Sequence, residues 1–330
     1  KHFLPALNVA NCWELSEMTQ SAGNPLGLNQ LGIFRDYTPE LICSKILLMK
    51  TNKTKLSYYL AGLIEGDGTI IVPKTERSAK GKINYPSIQI VFNLKDLPLA
   101  LIIQKELGHG SLARKKGVNA YVLTINNYKG WVLIVNLING KMRTPKINAL
   151  YKLIDWLNKR FNTLNIIKAP IDKSPLDSNA WLSGLIEADG HFTVRATTVS
   201  QYPKMECKFE LSQRQIDHNG NSNLSFLEEI AELLLTNVKA IRLNKPKPEY
   251  RLRTTNLKAN IILETYLEKY PLYGSKYLDY KDWQKVLEIF KLGEHKQQNG
   301  IEKIKSIKLG MNDRRTVLIW DHLNKFYNLD

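Results

Sequence analysis

The sequence predicts an α+β fold built from two similar halves, and three observations lead to this prediction. A nine-residue stretch at Leu60–Gly68 recurs with almost the same letters at Leu182–Gly190. Each copy is followed by segments that alternate between apolar and polar residues, as half-buried strands do. Each half then continues with an apolar segment of helical period, Leu97–Leu107 and Leu224–Leu235. A copied helix with copied surroundings indicates an internal repeat.

The two copies of the repeated stretch are predicted to be helices that pack closely against each other. Small residues recur four positions apart, Gly62 with Gly66 and Gly184 with Ala188, and they line one side of each helix. Glycine in a helix costs about 1 kcal/mol relative to alanine. Its repeated use therefore indicates a contact that larger side chains would obstruct.

An acid ends each of these helices, and the predicted packing brings the two acids together. The acids are Asp67 and Asp189, 122 positions apart. Two close carboxylates repel each other, and the negative ends of both helix dipoles add to the repulsion. Carboxylates and free terminal carbonyls suit magnesium, manganese or calcium rather than zinc. We therefore expect a cation at Asp67, Asp189 and the carbonyls of Gly66 and Ala188; the alternative is a plain helix seam with solvated acids.

Composition points towards a nucleic-acid partner. The chain has 47 Lys and Arg against 31 Asp and Glu, a net charge of +16, as nucleic-acid binders have; a generally basic protein is the alternative. No apolar run reaches the roughly 18 residues of a membrane span, so no membrane partner is expected. Cys12, Cys43 and Cys207 are odd in number and match no metal spacing, which predicts free thiols in a reducing compartment.

The predicted strands carry polar side chains on one face and cations in their loops. Arg suits guanine and Asn or Gln suits adenine in a major groove, and cationic strand tips suit phosphates. An ordinary half-exposed sheet would alternate in the same way. The strand residues that we expect to contact the nucleic acid are Thr69, Gln89, Asn93, His191, Thr193, Arg195, Thr197, Lys208, Glu210, Ser212, Arg251 and Arg253. The expected loop contacts are Lys74, Arg77, Lys80, Lys82, Arg114, Lys115, Lys116, Arg242, Lys245 and Lys247.

In its two motif copies the chain resembles the LAGLIDADG homing endonucleases of the single-chain, two-repeat kind, over about residues 55–291. The resemblance implies two pseudo-symmetric αββαββα repeats, with motif helices at their interface and antiparallel sheets that form a DNA-binding saddle. It also implies that Asp67 and Asp189 bind the catalytic metal together with the carbonyls of Gly66 and Ala188. Glu65 and Glu187, at the sixth motif position, are interpreted as structural.

The resemblance implies three further catalytic residues. Lys146 and Lys276 open the last helix of each half and match the lysines that flank the metal in this family; plain surface lysines are the alternative. Gln213 matches the polar residue that organises the attacking water. Leu94 is expected at the equivalent place of the first half, which predicts unequal cutting of the two DNA strands.

The implied activity is Mg²⁺-dependent hydrolysis of one phosphodiester on each strand of a long DNA target, a double-strand break that promotes intron mobility. Mn²⁺ or Ca²⁺ would fit the same sites, Ca²⁺ without turnover. An RNA-binding maturase that acts on its host intron is the alternative. A transcription factor on the same scaffold would be expected to lose a motif acid, and both are retained. A monomer encoded and working in the mitochondrion, without a targeting peptide, is expected.

The expected organisation has five segments. An extended or partly ordered N-terminal arm covers residues 1–54, the two repeats cover 55–157 and 179–291, and a polar linker covers 158–178. A C-terminal extension at 292–330 is predicted to contain two short basic helices, Ile301–Lys308 and Arg314–Phe326.

Overall fold

A computed structural model describes the backbone of residues 39–197 and 204–327, and side chains from residue 53 onward. The chain divides into two compact units, residues 1–48 and 49–330. In the first unit the described residues, 39–48, are helical. The second unit contains both repeats. The prediction for the N-terminal arm falls mostly outside the described residues. The predictions of free thiols at Cys12 and Cys43 also lie outside them. Cys207 is a buried free thiol.

The first half has the order αββαββα followed by one more helix. Its elements are α1 (Pro39–Asp67), β1 (Gly68–Ile71), β2 (Ser87–Asn93), α2 (Leu97–Leu107), β3 (Ser111–Arg114), β4 (Ala120–Ile125), α3 (Tyr128–Ile138) and α4 (Ile147–Arg160).

The second half repeats this order and adds a helix at its end. Its elements are α5 (Trp181–Asp189), β5 (Gly190–Thr197), β6 (Lys204–Arg214), α6 (Leu224–Leu233), β7 (Val238–Ile241), β8 (Glu249–Arg253), α7 (Leu257–Lys269), α8 (Ser275–Lys291) and α9 (Gln298–Leu309). Short 3₁₀ turns lie at Leu94–Asp96, Leu176–Ser178, Glu294–Lys296, Asn312–Arg314 and Asp321–Lys325.

Each half contains a four-stranded antiparallel sheet, and the two sheets have the same topology. Their strand orders are β1-β2-β4-β3 and β5-β6-β8-β7. Gly68 pairs with Ile90 in the first sheet, and Gly190 pairs with Leu211 in the second. The strands alternate buried and outward-facing residues, so each sheet covers a core on one face. The predicted α+β fold with two matching repeats is confirmed.

Matching sequence signals start the matching helices. The side chain of Asn127 accepts a hydrogen bond from the Gly130 N–H at the start of α3, and Asn256 accepts one from the Ala259 N–H at the start of α7. Each asparagine satisfies a donor that the helix itself leaves free. The same capping residue therefore begins the same helix in both halves.

The motif helices α1 and α5 contact each other through their backbones. A Cβ at Gly62 would lie 2.0 Å from the Trp181 carbonyl oxygen, and a Cβ at Gly184 would lie 2.0 Å from the Tyr59 carbonyl oxygen. Real Cβ atoms do not approach so closely, so only glycine fits at these two positions. The predicted close packing is confirmed.

Two expectations about the flanking segments differ from the structure. Helix α1 begins at Pro39, so residues 39–54 are helical rather than extended. The first predicted C-terminal helix lies inside α9, but Arg314–Phe326 contains a 3₁₀ turn at Asp321–Lys325 rather than an α-helix. Arg315 is held by carboxylates of α8, and the His322 ring stacks on Tyr277 at 4.1 Å. These side-chain contacts with α8 determine the path of the tail, and local helical period does not.

Among the described residues, no helix is long and apolar enough to cross a membrane.

Candidate functional site

The two motif acids lie side by side where α1 and α5 end. Asp189 Oδ2 lies 2.8 Å from the point that a Cβ on Gly66 would occupy, so this carboxylate packs against the neighbouring helix. Asp67 is exposed to solvent at its surface, but many protein atoms surround it. The resulting desolvation and, next, the charge of Asp189 raise the pKa of Asp67 to about 6. Burial also raises the pKa of Asp189, against the opposing effects of Lys276 and Gln213. The structure thus brings the predicted pair of acids together.

A lysine closes the carboxyl end of each motif helix. The Lys146 Nζ donates to the carbonyls of Glu65 at 2.6 Å, Gly68 at 2.8 Å and Gly66 at 3.2 Å. The last carbonyls of a helix lack partners within the helix and carry its negative dipole end, which suits a cation. Burial lowers the pKa of Lys146, while nearby carboxylates oppose the shift.

The second lysine has the same arrangement. The Lys276 Nζ donates to the carbonyls of Ile186 and Ala188, both at 2.9 Å. Burial lowers the pKa of Lys276, against the nearby charges of Glu187, Asp189 and Asp67. Both predicted lysines therefore reach the centre, and they bond the carbonyls of Gly66 and Ala188 that were predicted as metal ligands.

The donor set at this centre fits a hard divalent cation. Within the described ranges, no three His, Cys, Asp or Glu side chains converge as a metal-binding group, so two carboxylates and nearby carbonyls are the available ligands. A carbonyl oxygen has two lone pairs, so a bond from lysine leaves one free at Gly66 and at Ala188. Oxygen ligands of this kind suit Mg²⁺ or Ca²⁺. Desolvation and, next, the charge of Asp189 raise the pKa of Asp67, and a bound cation would oppose both effects.

The two motif glutamates hold the halves together. Glu65 is buried and accepts hydrogen bonds from the Thr144 N–H at 2.6 Å and from the Trp181 indole of the other half. Glu187 is buried and accepts from the Tyr273 N–H at 2.7 Å and from the Tyr59 hydroxyl of the other half at 3.2 Å. These contacts agree with the interpretation of both glutamates as structural.

Two pockets flank the centre, and each combines residues of both halves. One, the Asp67 pocket, contains Phe92 and Asp96 of the first half with Lys276 of the second. The other, the Asp189 pocket, is lined by Asp189, Gln213 and Asp217 of the second half with Lys146 of the first. Each motif acid therefore shares its pocket with the lysine of the opposite half.

Gln213 contacts one acid directly, because its Nε2 lies 2.6 Å from Asp189 Oδ2. Among the described residues of the first half, no side chain makes an equivalent bond to Asp67. Ile90 and Leu211 occupy matching positions opposite Gly68 and Gly190, so Phe92 corresponds to Gln213. The expectation that Leu94 lies at this place is wrong by two residues, because the alternation of the strand rather than its end sets the register. The matching residue is apolar in either case.

Sequence reasoning missed two acids, Asp96 and Asp217, which line the two pockets. They follow the second strand of their halves at nearly the same distance from the motif acid, 29 residues for Asp96 and 28 for Asp217. That repeated spacing was the signal available in the sequence.

The outward face of the first sheet carries a polar row across its four strands. Thr69 pairs with Gln89, Gln89 pairs with Thr124, and Thr124 pairs with Ser111. Thr69 and Gln89 are predicted from the sequence, whereas Thr124 and Ser111 are not. Ile71 is 43% exposed on the same side, so this face is only partly polar.

The outward face of the second sheet is more highly charged, and its charges pair with one another. Glu210 lies 2.9 Å from Arg253 Nε and 3.6 Å from Arg251 Nη1. Lys208 lies 3.0 Å from Glu206, which sequence reasoning missed. The Thr193 hydroxyl is buried without a hydrogen-bond partner, so it is not available on the surface.

The remaining predicted contacts lie on the surface around the two sheets. Arg77 donates to the Gly81 carbonyl within its own loop, and Arg242 pairs with Glu249 at 2.7 Å. Ser212 accepts from Arg251, and Arg195 lies 3.3 Å from Thr197. The exposed predicted residues are Thr69, Lys74, Arg77, Lys80, Lys82, Asn93, Arg114, Lys115, Lys116, His191, Arg195, Arg242, Lys245 and Lys247.

Known proteins are similar to this chain in sequence. The sequence profile of the family described as LAGLIDADG endonuclease matches residues 60–157 and 182–287. An intron-encoded DNA endonuclease of Saccharomyces cerevisiae is 33% identical over 316 residues, covering 84% of this chain and 75% of the relative. A protein of cox1 intron 2 in Schizosaccharomyces pombe is 26% identical, covering 88% of this chain and 84% of the relative.

Solved structures show the same fold at lower identity. The LAGLIDADG homing endonuclease I-GzeII, in complex with its DNA target, has a TM-score of 0.61 and 18% identity, covering 78% of this chain and 99% of that one. I-LtrWI, bound to target DNA, has a TM-score of 0.60 and 21% identity, covering 80% and 99%. Together with the two motif copies and their paired acids, these matches show that the chain belongs to the LAGLIDADG endonuclease family.

Proposed function

We propose that this endonuclease makes a metal-dependent double-strand break in a long DNA target by hydrolysing one phosphodiester on each strand. The observation that carries the proposal is the pairing of Asp67 and Asp189 at the ends of packed helices, with Lys146 and Lys276 beside them. The intron-encoded relative from Saccharomyces cerevisiae and the structures of family members on DNA support it. Intron mobility is the biological outcome that such relatives indicate.

The residues of the centre have distinct parts in the proposed reaction. Asp67 and Asp189 would hold Mg²⁺, which when bound supplies Lewis-acid activation of the attacking water and the scissile phosphate. Gln213 orients the Asp189 carboxylate through its bond to Oδ2. Lys146 and Lys276 neutralise the carboxyl ends of the motif helices, so that a phosphate can approach two acids.

The sheets would bind the duplex. Their polar rows face outward, and exposed cations occupy the loops at the strand tips, where they suit phosphates. One chain carries both halves of the interface, so a monomer suffices for both strands.

Cleavage of a plasmid that carries the intron-less host sequence tests this function. We expect linear product with Mg²⁺, none with EDTA, and binding without turnover in Ca²⁺. Asp67→Asn and Asp189→Asn should abolish cleavage while retaining binding, because the sheets are unchanged. Efficient cleavage by the double variant, or unchanged cleavage in EDTA, would contradict the proposal.

A maturase activity is the second candidate, and one relative favours it. An intron-encoded RNA maturase of Saccharomyces cerevisiae is 31% identical over 180 residues, although the match covers 54% of this chain and only 25% of that protein. Splicing of the host intron with Asp67→Asn separates the two functions. A maturase should still promote splicing in this variant, since RNA binding needs no metal centre.

The cox1 intron relative supports a mitochondrial origin.

A further inference from the structure

We propose that Asp96 of the first half is a positioning residue for Lys276 of the second half. Among the described residues, the corresponding acid of the second half, Asp217, makes no such bond to the helix that Lys146 precedes. The inference rests on the proposed function, because it concerns the lysine of the Asp67 pocket. It predicts that the two DNA strands depend differently on contacts across the interface.

A single hydrogen bond connects Asp96 to the start of helix α8. Asp96 ends the turn Leu94–Asp96, and its Oδ1 accepts from the Ser275 N–H at 2.6 Å. Ser275 is the first residue of α8. An acid at this place satisfies a free donor and complements the positive end of the helix dipole. The cap comes from the other half of the molecule, 179 residues away.

This bond lies next to the lysine that it positions. Lys276 follows Ser275 directly, and its Nζ bonds the Ile186 and Ala188 carbonyls. The segment before α8 is held from a second side, because Glu187 accepts from the Tyr273 N–H. A Cβ on Gly274 would lie 2.5 Å from Glu187 Oε1 and 3.2 Å from Asp96 Oδ1. Two carboxylates from opposite halves therefore confine the chain where it enters α8.

The first half lacks this bond for a reason visible in its sequence. Pro145 precedes Lys146 as Ser275 precedes Lys276, and proline has no N–H to donate. In the second half, Asp217 is the counterpart of Asp96. It bonds within its own turn, where it accepts from the N–H groups of Asn219 and Asn221. Arg143 instead anchors the chain before Lys146 through Asp172 at 2.6 Å. The cross-half cap therefore exists on one side of the centre.

The consequence concerns one strand of the target. Lys276 and Asp67 share a pocket with Asp96, so loss of the cap displaces the lysine beside Asp67. The Asp189 pocket, with Lys146, keeps its own anchors. Cleavage of the strand that enters the Asp67 pocket should slow, while cleavage of the other strand continues.

Single-turnover cleavage of a duplex labelled on each strand tests the inference. We expect Asp96→Ala to slow one strand about tenfold or more, with little change in the dissociation constant for DNA, because a misplaced catalytic group lowers the rate rather than binding. Asp96→Asn should recover part of the rate, since the amide oxygen accepts the same bond. Asp177→Ala, which removes a surface acid from another 3₁₀ turn, is the matched control and should change neither rate.

Two further variants separate positioning from general destabilisation. Ser275→Pro removes the donor and should slow the same strand, and Asp96→Ala should add little in that background. Asp217→Ala removes an acid from the Asp189 pocket and leaves the Ser275 cap intact, so any slowing should fall on the other strand. Equal slowing of both strands by Asp96→Ala, or unchanged rates, would overturn the inference.

A measurement without DNA keeps this inference distinct from the proposed function. Hydrogen exchange at the Ser275 amide should accelerate in Asp96→Ala relative to Asp177→Ala. If the wild-type protein cuts neither strand, the proposed function fails, yet unchanged exchange at Ser275 would still refute the cap by itself.

Discussion

The two motif acids occupy the same place in their repeats but have different neighbours. Asp189 accepts a hydrogen bond from Gln213, and Phe92 occupies the corresponding place beside Asp67. The pKa of Asp67 rises to about 6, through desolvation first and then through the charge of Asp189. Burial raises the pKa of both acids, but only the shift of Asp189 is opposed by a hydrogen bond from Gln213.

This raised pKa predicts a pH dependence of stability in the metal-free protein. The pKa of Asp67 in the folded protein lies above its unfolded value of 3.8. Its contribution to the free energy of unfolding is therefore fully present below pH 3.8 and is lost as pH rises through about 6. Asp67→Asn removes the cost of ionisation and should stabilise the protein at pH 8 by about 1 kcal/mol, after allowance for solvent screening. Thermal unfolding in EDTA at pH 4 and pH 8 measures this. A stabilisation that is larger at pH 4 would contradict the assignment.

The bond from Gln213 predicts unequal roles for the two pockets. Gln213→Ala leaves the Asp189 carboxylate without its partner and should slow one strand about 10- to 100-fold, as expected for a residue that orients a ligand. Cleavage rates for each strand measure the effect, and Gln215→Ala, two residues along, serves as the control. Equal slowing of both strands would rule out this role.

At the scale of elements, the motif helices combine packing with placement of the centre. Their glycines bring the two backbones into contact, and the same contact fixes how closely the terminal acids approach. The glutamates bond residues of both halves, so the interface cannot slide without breaking buried hydrogen bonds.

Alanine at the helix contact should therefore destabilise the molecule. The new Cβ of Gly62→Ala would meet the Trp181 carbonyl, and overpacking of this kind costs about 1–3 kcal/mol, although alanine favours an isolated helix. Gly310→Ala is the matched control, because its nearest neighbour lies at 3.7 Å. Denaturant unfolding should show a lower free energy of unfolding for Gly62→Ala and an unchanged one for Gly310→Ala.

The C-terminal tail is an element that the repeats do not contain. The Tyr327 ring lies 6.0 Å from Tyr59 and 5.1 Å from Tyr273, and Tyr327 is buried. Its replacement by alanine should cost about 3 kcal/mol, as loss of a buried aromatic ring does. Thermal unfolding measures this, with Trp320→Ala, which lies in the same tail outside this aromatic cluster, as the comparison. A midpoint equal to that of the wild type would exclude a structural role for the ring.

Over the whole molecule, basic side chains outnumber acidic ones, and exposed cations lie in the loops at the strand tips. The net charge of +16 predicts strong salt dependence, because each neutralised phosphate contributes about −0.9 to the slope of log K against log salt. Replacing Arg114, Lys115 and Lys116 by alanine should make the slope shallower by up to about 3 × 0.9. Lys152→Ala and Lys258→Ala, on helices α4 and α7, should leave it unchanged. An unaltered slope in the triple variant would remove this loop from the interface.

The residues alone predict the repeat, the motif helices, the paired acids and the polar faces of the strands. These features depend on local periods and on chemistry repeated within each half. The packed structure was needed to show which lysine shares a pocket with which acid, that Phe92 rather than Leu94 corresponds to Gln213, and that Asp96 caps a helix of the other half. It also decided the path of the tail after Leu309. Such contacts join residues far apart in the chain, and their partners depend on how two packed halves meet rather than on any neighbouring residue.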